Sequence, residues 1–451
     1  MSKTPASSAA PTLLPDAPVR RWARPLVRFL HIESASGFVL LACAAAAIAL
    51  ANSPWAEAYH AFWHTHLAIS LGSWSLDYSL EHWVNDGLMT IFFFVVGLEI
   101  KRELVAGELR EFRKAALPVM AAIGGMLAPA GIYLLLRHGQ PGEQGWGIPM
   151  ATDIAFVVGA LAILGRRVPI GLKILLLALA IVDDLGAVLV IAFFYTSDIA
   201  LWWLAAAAVG LFAIWLMNGI GVRSVAIYLF VGAAIWLAFV KSGVHPTIAG
   251  VMLGLLTPAR AWILPSTLQA LFHQAVDTLS EHDNRAPQRD MLKELQTATL
   301  EAEPPLERLE NSLHPWMAFG VMPIFALANA GVVIEPSALG DPIAWSVAAG
   351  LVLGKPLGIF VFCWVAVRIG LARLPAGVNW PVLLGAGCLA GIGFTMSLFI
   401  ASLALEGDQL AAGKIGTLGG SVISAIVGFS LLQWLMPPYV PNDDLNPAEM
   451  K

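Results

Sequence analysis

Long apolar runs alternate with short polar and charged segments along almost the whole chain. A helix that crosses a bilayer needs about 20 mostly apolar residues, so each long run predicts one spanning helix. The pattern predicts about twelve spans and an all-α polytopic membrane protein. In chain order, spans 1 to 12 fall at about residues 32–51, 86–100, 116–136, 148–164, 170–195, 199–217, 225–240, 246–257, 315–332, 343–367, 380–405 and 413–436.

The segments outside these runs divide the chain further. Residues 1–30 are rich in Ser, Ala and Pro and then basic, which predicts a cytoplasmic N-terminal segment ahead of a transmembrane domain at 31–436. Residues 67–78 alternate in polarity around a Gly-Ser pair, as a small β-hairpin does. Residues 258–313 predict a long cytoplasmic linker, and residues 437–451 predict a cytoplasmic tail.

The composition agrees with a membrane protein. Of the 451 residues, 58% are hydrophobic and 13% are charged, whereas ordinary soluble domains have roughly 25% charged residues. The three cysteines each lie inside an apolar run. Neither a disulfide framework nor a metal cluster is therefore indicated.

The basic residues predict the orientation of the chain in the membrane. With the N-terminus in the cytoplasm, the cytoplasmic segments hold all but four of the 26 Lys and Arg residues. Because cytoplasmic loops carry an excess of Lys and Arg, both termini are predicted to be cytoplasmic. The four exceptions are Arg137, Lys241, Lys355 and Lys414.

Two adjacent carboxylates, Asp183 and Asp184, lie in the middle of span 5. Ionised side chains at bilayer depth are costly, so such carboxylates usually face a wet cavity, pair with a cation or carry protons. Neighbours on a helix point about 100° apart, so the two side chains face different walls. The geometry predicts an ion site in which one of the two carboxylates has a partner of its own.

Lys355 is the only lysine or arginine well inside a predicted span. Its side chain could extend to an interface, as long basic side chains do, or it could pair with a buried carboxylate. A nucleotide-binding Walker loop is excluded here, because Pro356 stands where that loop needs Ser or Thr and no strand precedes it.

Two spans contain polar or glycine-rich interruptions. Span 4 carries Thr152 and Asp153 between two short apolar halves, and span 11 carries glycines and hydroxyls at 391–397. These features predict breaks in the helices, although close packing through small residues explains either segment alone. The two segments lie in the middle of spans 3 to 5 and spans 10 to 12, which have opposite orientations. Paired interruptions in inverted halves indicate the binding site of a secondary transporter.

Together with these segments, further motifs occur in a characteristic order along the chain. The motifs lie at residues 93–104, 151–156, 183–187, 241–245, 313–316, 326–331, 354–358 and 391–397. In this order they resemble the NhaA family of sodium/proton antiporters over residues 30–436. The resemblance implies inverted-topology repeats in which the interrupted spans 4 and 11 cross near the bilayer midplane. Spans 3 to 5 and 10 to 12 would form a core bundle, and spans 1, 2 and 6 to 9 an interface bundle. It also implies a homodimer through the 67–78 hairpin, in the bacterial cytoplasmic membrane.

The resemblance also implies roles for single residues. Asp184 is similar in position to the principal cation ligand, with Asp183 beside it, and Lys355 to the partner of Asp183. Asp153, with Thr152, is similar to the group that offsets positive helix ends. A solvated surface charge cluster is the alternative interpretation of residues 99–103. The positions that the resemblance associates with pH response are Glu99, Arg102, Glu103, His245 and Glu310.

The function implied is exchange of cytoplasmic Na⁺ or Li⁺ for external H⁺, electrogenic and pH-regulated, for sodium and pH homeostasis. Carboxylate oxygens suit both a hard cation and a proton, so the two substrates would compete for Asp183 and Asp184. No enzyme activity, cofactor or nucleic-acid partner is expected, and the bilayer is the surrounding partner. Two alternatives remain. One is a passive cation channel, and the other is an intramembrane aspartyl protease built on Asp153 and one of the doublet, whose Gly-x-Gly-Asp motif the sequence lacks.

Overall fold

The computed structural model describes residues 33–71, 74–196, 199–222, 225–280, 285–334 and 340–436. The predicted N-terminal segment at 1–30 and the tail at 437–451 lie outside the described residues. Within them the fold is helical apart from one two-stranded sheet. The helices are α1 Glu33–Ala51, α2 Ala56–Trp63, α3 Met89–Val105, α4 Phe112–Arg137, α5 Ile154–Leu164, α6 Ile170–Phe194, α7 Leu201–Gly219, α8 Val225–Ser242, α9 Thr247–Leu256, α10 Pro265–Ser280, α11 Arg285–Ala302, α12 Pro305–Trp316, α13 Met322–Asn329, α14 Pro342–Ala349, α15 Lys355–Arg368, α16 Trp380–Ala390, α17 Phe394–Ala404 and α18 Gly407–Leu435.

Shorter helical segments join several of these helices. The π-helical segments join neighbouring α-helices into longer continuous helices. Such segments occur frequently at functional sites. One of them, Gly350–Gly354, directly precedes Lys355. The π-helical segments are Trp83–Leu88, Met317–Val321 and Gly350–Gly354, the 3-10 segments are Glu108–Arg110, Glu143–Met150 and Gly165–Arg167, and Leu80–His82 is a single α-helical turn.

Among the described residues, six helical segments are long and apolar enough to cross a membrane, or up to eight if two bent helix pairs each count as one span. The bent pairs are α1 with α2, at 117°, and α16 with α17, at 49°. Several of the twelve predicted spans contain helices that are too short to be among these segments. Helix α9 has only 10 residues and α3 has 17. The six segments are Phe112–Arg137, Glu143–Leu164, Ile170–Phe194, Leu201–Gly219, Pro342–Arg368 and Gly407–Leu435.

The predicted hairpin is confirmed as an antiparallel pair of strands, β1 at His66–Leu71 and β2 at Trp74–Ser79. Its turn at residues 72–73 lies outside the described residues. The side chains of Leu67 and Ile69, in β1, are about half exposed. The segment predicted as a linker, 258–313, contains α10, α11 and most of α12.

Close backbone contact between α4 and α15 brings Lys355 and the acidic doublet into one region of the fold. A Cβ atom on Gly124 would overlap the carbonyl oxygen of Gly358, and a Cβ on Gly358 would overlap that of Gly124. Helices in membranes approach this closely where both carry small residues. The same α4 helix also packs against α6, which carries the doublet.

We expect Gly124→Ala to lower the free energy of unfolding by about 1–3 kcal/mol, because the added methyl group has no space against α15. Gly131→Ala is a matched control in the same helix, since a Cβ there would meet nothing within 4 Å. Thermal unfolding of the purified protein in detergent measures both. Equal midpoints for the two variants would contradict the proposed close packing.

Candidate ion-binding site

Lys355 and Asp183 form a fully buried ion pair. Lys355 Nζ donates a hydrogen bond to Asp183 Oδ2 at 2.6 Å, and the two side chains are 0% and 1% exposed. The lysine therefore does not extend to an interface, and the partner is the carboxylate that the resemblance implied. Lys355 Nζ also donates to the carbonyl oxygen of Met150, at the end of the 3-10 segment before α5.

Three carboxylate oxygens beside this pair have no hydrogen-bond partner among the described residues. They are Asp183 Oδ1 and both side-chain oxygens of Asp184, which is 1% exposed. Burial of an ionised carboxylate without a partner is costly. These oxygens are therefore acceptors that either a cation or protons can satisfy, and oxygen ligands suit a hard cation such as Na⁺.

Asp153 connects the beginnings of two helices. Its Oδ1 accepts hydrogen bonds from the backbone amides of Ala155 at 3.1 Å and Phe156 at 3.4 Å, in α5. Its Oδ2 accepts from the amide of Thr395 at 3.1 Å and from the hydroxyl of Thr395, in α17. An anionic group near the first amides of a helix stabilises that end. One carboxylate thus stabilises two helix N-termini.

The chain is non-helical at residues 151–153, before α5, and at residues 391–393, before α17. These two breaks are in direct contact. The amide of Asp153 donates to the carbonyl oxygen of Ile392 at 2.7 Å, and Thr152 Oγ1 donates to that of Ala390 at 2.9 Å. Ser397 Oγ donates to the carbonyl oxygen of Ile148 at 2.7 Å. Each break therefore satisfies backbone groups that the other leaves free.

Four of the five candidate pH-response residues lie together at the end of α3. The Arg102 guanidinium donates to Glu310 Oε1 of α12, and its second terminal nitrogen lies 3.8 Å from Glu103 Oε1. Glu99 lies one helical turn before Glu103. Glu310 precedes the predicted span at 315–332 and is 7% exposed. Burial raises the pKa of the Glu310 carboxyl, and the nearby Arg102 opposes that shift.

His245 lies apart from these four residues. Its Nε2 is 3.8 Å from Asp86 Oδ1, its Nδ1 shares a hydrogen bond of 2.7 Å with Thr247 Oγ1, and its ring contacts Phe399. Asp86 lies in the π-helical segment that leads into α3, so it is about 24 Å along the helix from Arg102. His245 is therefore at the opposite end of α3 from the other candidates.

Sequence reasoning missed several groups that complete the site. The Met150 carbonyl carries no signal in the sequence, because every residue has one. In the sequence, Thr395 and Ser397 stand out only as hydroxyl residues of the motif at 391–397, and their spacing does not indicate which groups they bind. Ser421 of α18 accepts hydrogen bonds from the amides of Gly393 and Phe394. It lies in an apolar run with no distinguishing pattern.

Comparison with known proteins identifies a family. Residues 27–432 match the sequence model of the family described as Na⁺/H⁺ antiporter 1. The Na⁺/H⁺ antiporter NhaA of Rhodopirellula baltica is 53% identical over 426 residues, covering 94% of this chain and 97% of that protein. NhaA 2 of Sorangium cellulosum is 50% identical over 95% of this chain and 93% of its own length. NhaA of Rhizobium meliloti is 48% identical over 94% and 98%, respectively.

We expect Lys355→Met to lower the free energy of unfolding by about 3–5 kcal/mol, because it leaves the Asp183 charge buried without its partner. The double variant Lys355→Met, Asp183→Asn removes both charges and should recover much of this loss. Thermal unfolding in detergent, at a pH well above the usual range of a carboxyl, compares the two. A double variant that is no more stable than the single one would contradict the structural role of this ion pair.

Proposed function

The chain belongs to the Na⁺/H⁺ antiporter 1 family, and on that premise we propose how its buried site carries out the exchange. The protein is a multi-pass membrane transporter that exchanges Na⁺ for H⁺. The family match over residues 27–432 carries this conclusion, and relatives named as Na⁺/H⁺ antiporters cover most of the chain. Neither the channel nor the protease alternative gains support from any observation.

Asp183 and Asp184 are proposed as the ligands of the transported ions, with Asp184 as the principal one. This assignment is supported by their three buried oxygens without hydrogen-bond partners in the described part of the chain. Such oxygens can accept a Na⁺ ion or protons, and a site filled by one cannot accept the other. Competition of this kind couples the two fluxes, provided that the site changes sides readily only when it is occupied. Li⁺, a similar hard cation, is a second expected substrate.

Lys355 is proposed as a competitor of the cation for Asp183. In the structure its ammonium group neutralises that carboxylate. When Na⁺ binds to Asp183, the lysine releases the carboxylate and retains the Met150 carbonyl as a partner. If Asp184 and Lys355 each lose a proton in this step, more than one proton exchanges for each Na⁺. The cycle is then electrogenic, and the membrane potential drives Na⁺ out of the cell.

The helix breaks are proposed as the crossing point of two inverted repeats within a twelve-helix fold. The hydrogen bonds from residues 152 and 153 to the carbonyl oxygens of residues 390 and 392 support this arrangement, as does the Asp153 carboxylate shared by α5 and α17. In this proposal, spans 3 to 5 and 10 to 12 form a moving core, and the other spans form an anchored interface bundle. Movement of the core would expose the doublet to each side of the membrane in turn.

The protein is proposed to act as a homodimer in a bacterial cytoplasmic membrane, with both termini in the cytoplasm. The exposed apolar side chains Leu67 and Ile69 on the first strand of the hairpin support pairing with a second copy. An exposed strand edge is itself a ready template for pairing with another chain. The distribution of Lys and Arg supports the orientation.

We expect Asp184→Asn to abolish the proton movement that follows addition of Na⁺ or Li⁺ to everted membrane vesicles, because an amide cannot exchange a proton for a cation. Asp290→Asn is a matched control, since Asp290 is an exposed carboxylate on α11. Its response should equal that of the wild type. An unaltered response in Asp184→Asn would refute the site assignment, and wild-type vesicles without any response would refute the exchange itself.

A role in pH response is proposed for the ion pair of Arg102 and Glu310. Because the pKa of Glu310 is raised, the carboxylate that pairs with Arg102 is present above that pKa. It is protonated, and the ion pair is lost, as the pH falls through it. The pair joins α3 to α12, so its formation alters the packing of these helices as the pH rises through that pKa.

We expect Glu310→Gln and Arg102→Gln each to make exchange vary less steeply with pH, because neither variant can form the pair at any pH. The double variant should show the same dependence of exchange on pH as each single variant. Glu111→Gln, which disrupts an exposed ion pair with Lys114, is the control. Proton flux in everted vesicles across a pH series is the measurement, and profiles of wild-type steepness in both single variants would exclude this role.

A further inference from the structure

The two interrupted spans begin their second halves in different ways. In α5, the N-cap residue Asp153 accepts hydrogen bonds from the first amides with its own side chain. In α17, the N-cap residue is Gly393, which has no side chain to do so. A Cβ at Gly393 would overlap Ser397 Oγ and approach the Ala151 carbonyl oxygen to 3.1 Å. The position cannot hold a capping side chain, so acceptors for α17 must come from another part of the fold.

Ser421 of α18 provides such an acceptor. Its buried hydroxyl oxygen accepts hydrogen bonds from the amide of Gly393 at 3.2 Å and from the amide of Phe394 at 3.1 Å. Asp153 Oδ2 accepts the next amide, that of Thr395. The first three amides at this helix end are thus satisfied by side chains of two other segments.

Two other buried hydroxyls on α18 lack this role. Thr417 and Ser424 lie four residues before and three residues after Ser421, which places all three near one face of the helix. Neither Thr417 Oγ1 nor Ser424 Oγ has a hydrogen-bond partner among the described residues. Of these three hydroxyls, only that of Ser421 contacts the break through a hydrogen bond, so its role is not explained by burial of a polar group alone.

We propose that Ser421 is a positioning residue for ion exchange, which acts through the N-terminus of α17 on the affinity of the Asp183 and Asp184 site. This inference rests on the proposed ligand role of the doublet. The N-terminus of a helix carries partial positive charge, and the Ser421 oxygen offsets it where α17 meets Asp153. Without this acceptor, two buried amides are left unpaired. The positive helix end then disfavours both Na⁺ and H⁺ at the nearby doublet.

The test is Na⁺-dependent proton flux in proteoliposomes that contain the full-length protein. At a pH above the acid limb of the pH profile, where protons do not compete with Na⁺, we expect Ser421→Ala to raise the apparent KM for Na⁺ by about three- to tenfold, the range that corresponds to a lost helix cap. We also expect the acid limb of its pH profile to move to lower pH, because the site holds protons less tightly. Ser421→Thr retains the hydroxyl and should restore both values. Ser424→Ala, the matched control, should leave both unchanged.

Two results would overturn this inference. The first is that Ser421→Ala has the same KM and pH profile as Ser424→Ala. The second is that Ser421→Ala lowers only the maximal rate of exchange. If Ser421→Ala does not fold, Ser421→Cys keeps the volume with a much weaker acceptor, and the same shifts are expected. Wild-type flux distinguishes a failure of the proposed function from a failure of the inference about Ser421. Its absence would contradict the proposed function, whereas normal wild-type exchange with unshifted Ser421 variants contradicts the inference alone.

Discussion

A charge in the interior of a membrane protein needs a partner, and the partners of the acidic doublet are unequal. Asp183 has Lys355 on one oxygen, whereas Asp184 has no hydrogen-bond partner on either oxygen among the described residues. The favourable state of the site therefore depends on which positive species is present: the lysine ammonium, a proton or a metal cation. Exchange between these species is the chemistry that an antiporter needs. The other features of the region hold these charges in place.

The interruptions in two spans supply fixed dipoles around the doublet. Backbone groups at membrane depth must be satisfied within the protein, and here each break satisfies the other through Thr152 and Ile392. The backbone groups that remain unpaired at the breaks form hydrogen bonds with ionised side chains. The Met150 carbonyl accepts from Lys355, and the first amides of α5 and α17 donate to Asp153. A continuous helix would offer neither, because its carbonyls and amides are paired along the helix.

The sequence predicts those parts of the site that ionisable residues provide. Asp183, Asp184, Asp153 and Lys355 stand out, because charged residues are rare in apolar runs, and the alternation at 67–78 predicts the hairpin. Backbone acceptors and hydroxyl groups are not predictable in the same way. A serine such as Ser421 is common in a membrane helix, and its partner depends on the crossing of helices far apart in the chain. The number of spans is equally difficult to predict, because apolar content alone does not determine the length of a helix. The span predicted at 246–257 contains a helix of only 10 residues, α9.

Titration calorimetry of Na⁺ into the purified protein, in two buffers of different ionisation enthalpy, tests most directly whether the cation and protons compete for one site. Competition predicts that the measured binding enthalpy differs between the buffers, because each Na⁺ that binds releases protons to the buffer. The heat of binding should be absent in Asp184→Asn. Equal enthalpies in the two buffers for the wild-type protein would mean that Na⁺ binds without proton release, and would contradict the account.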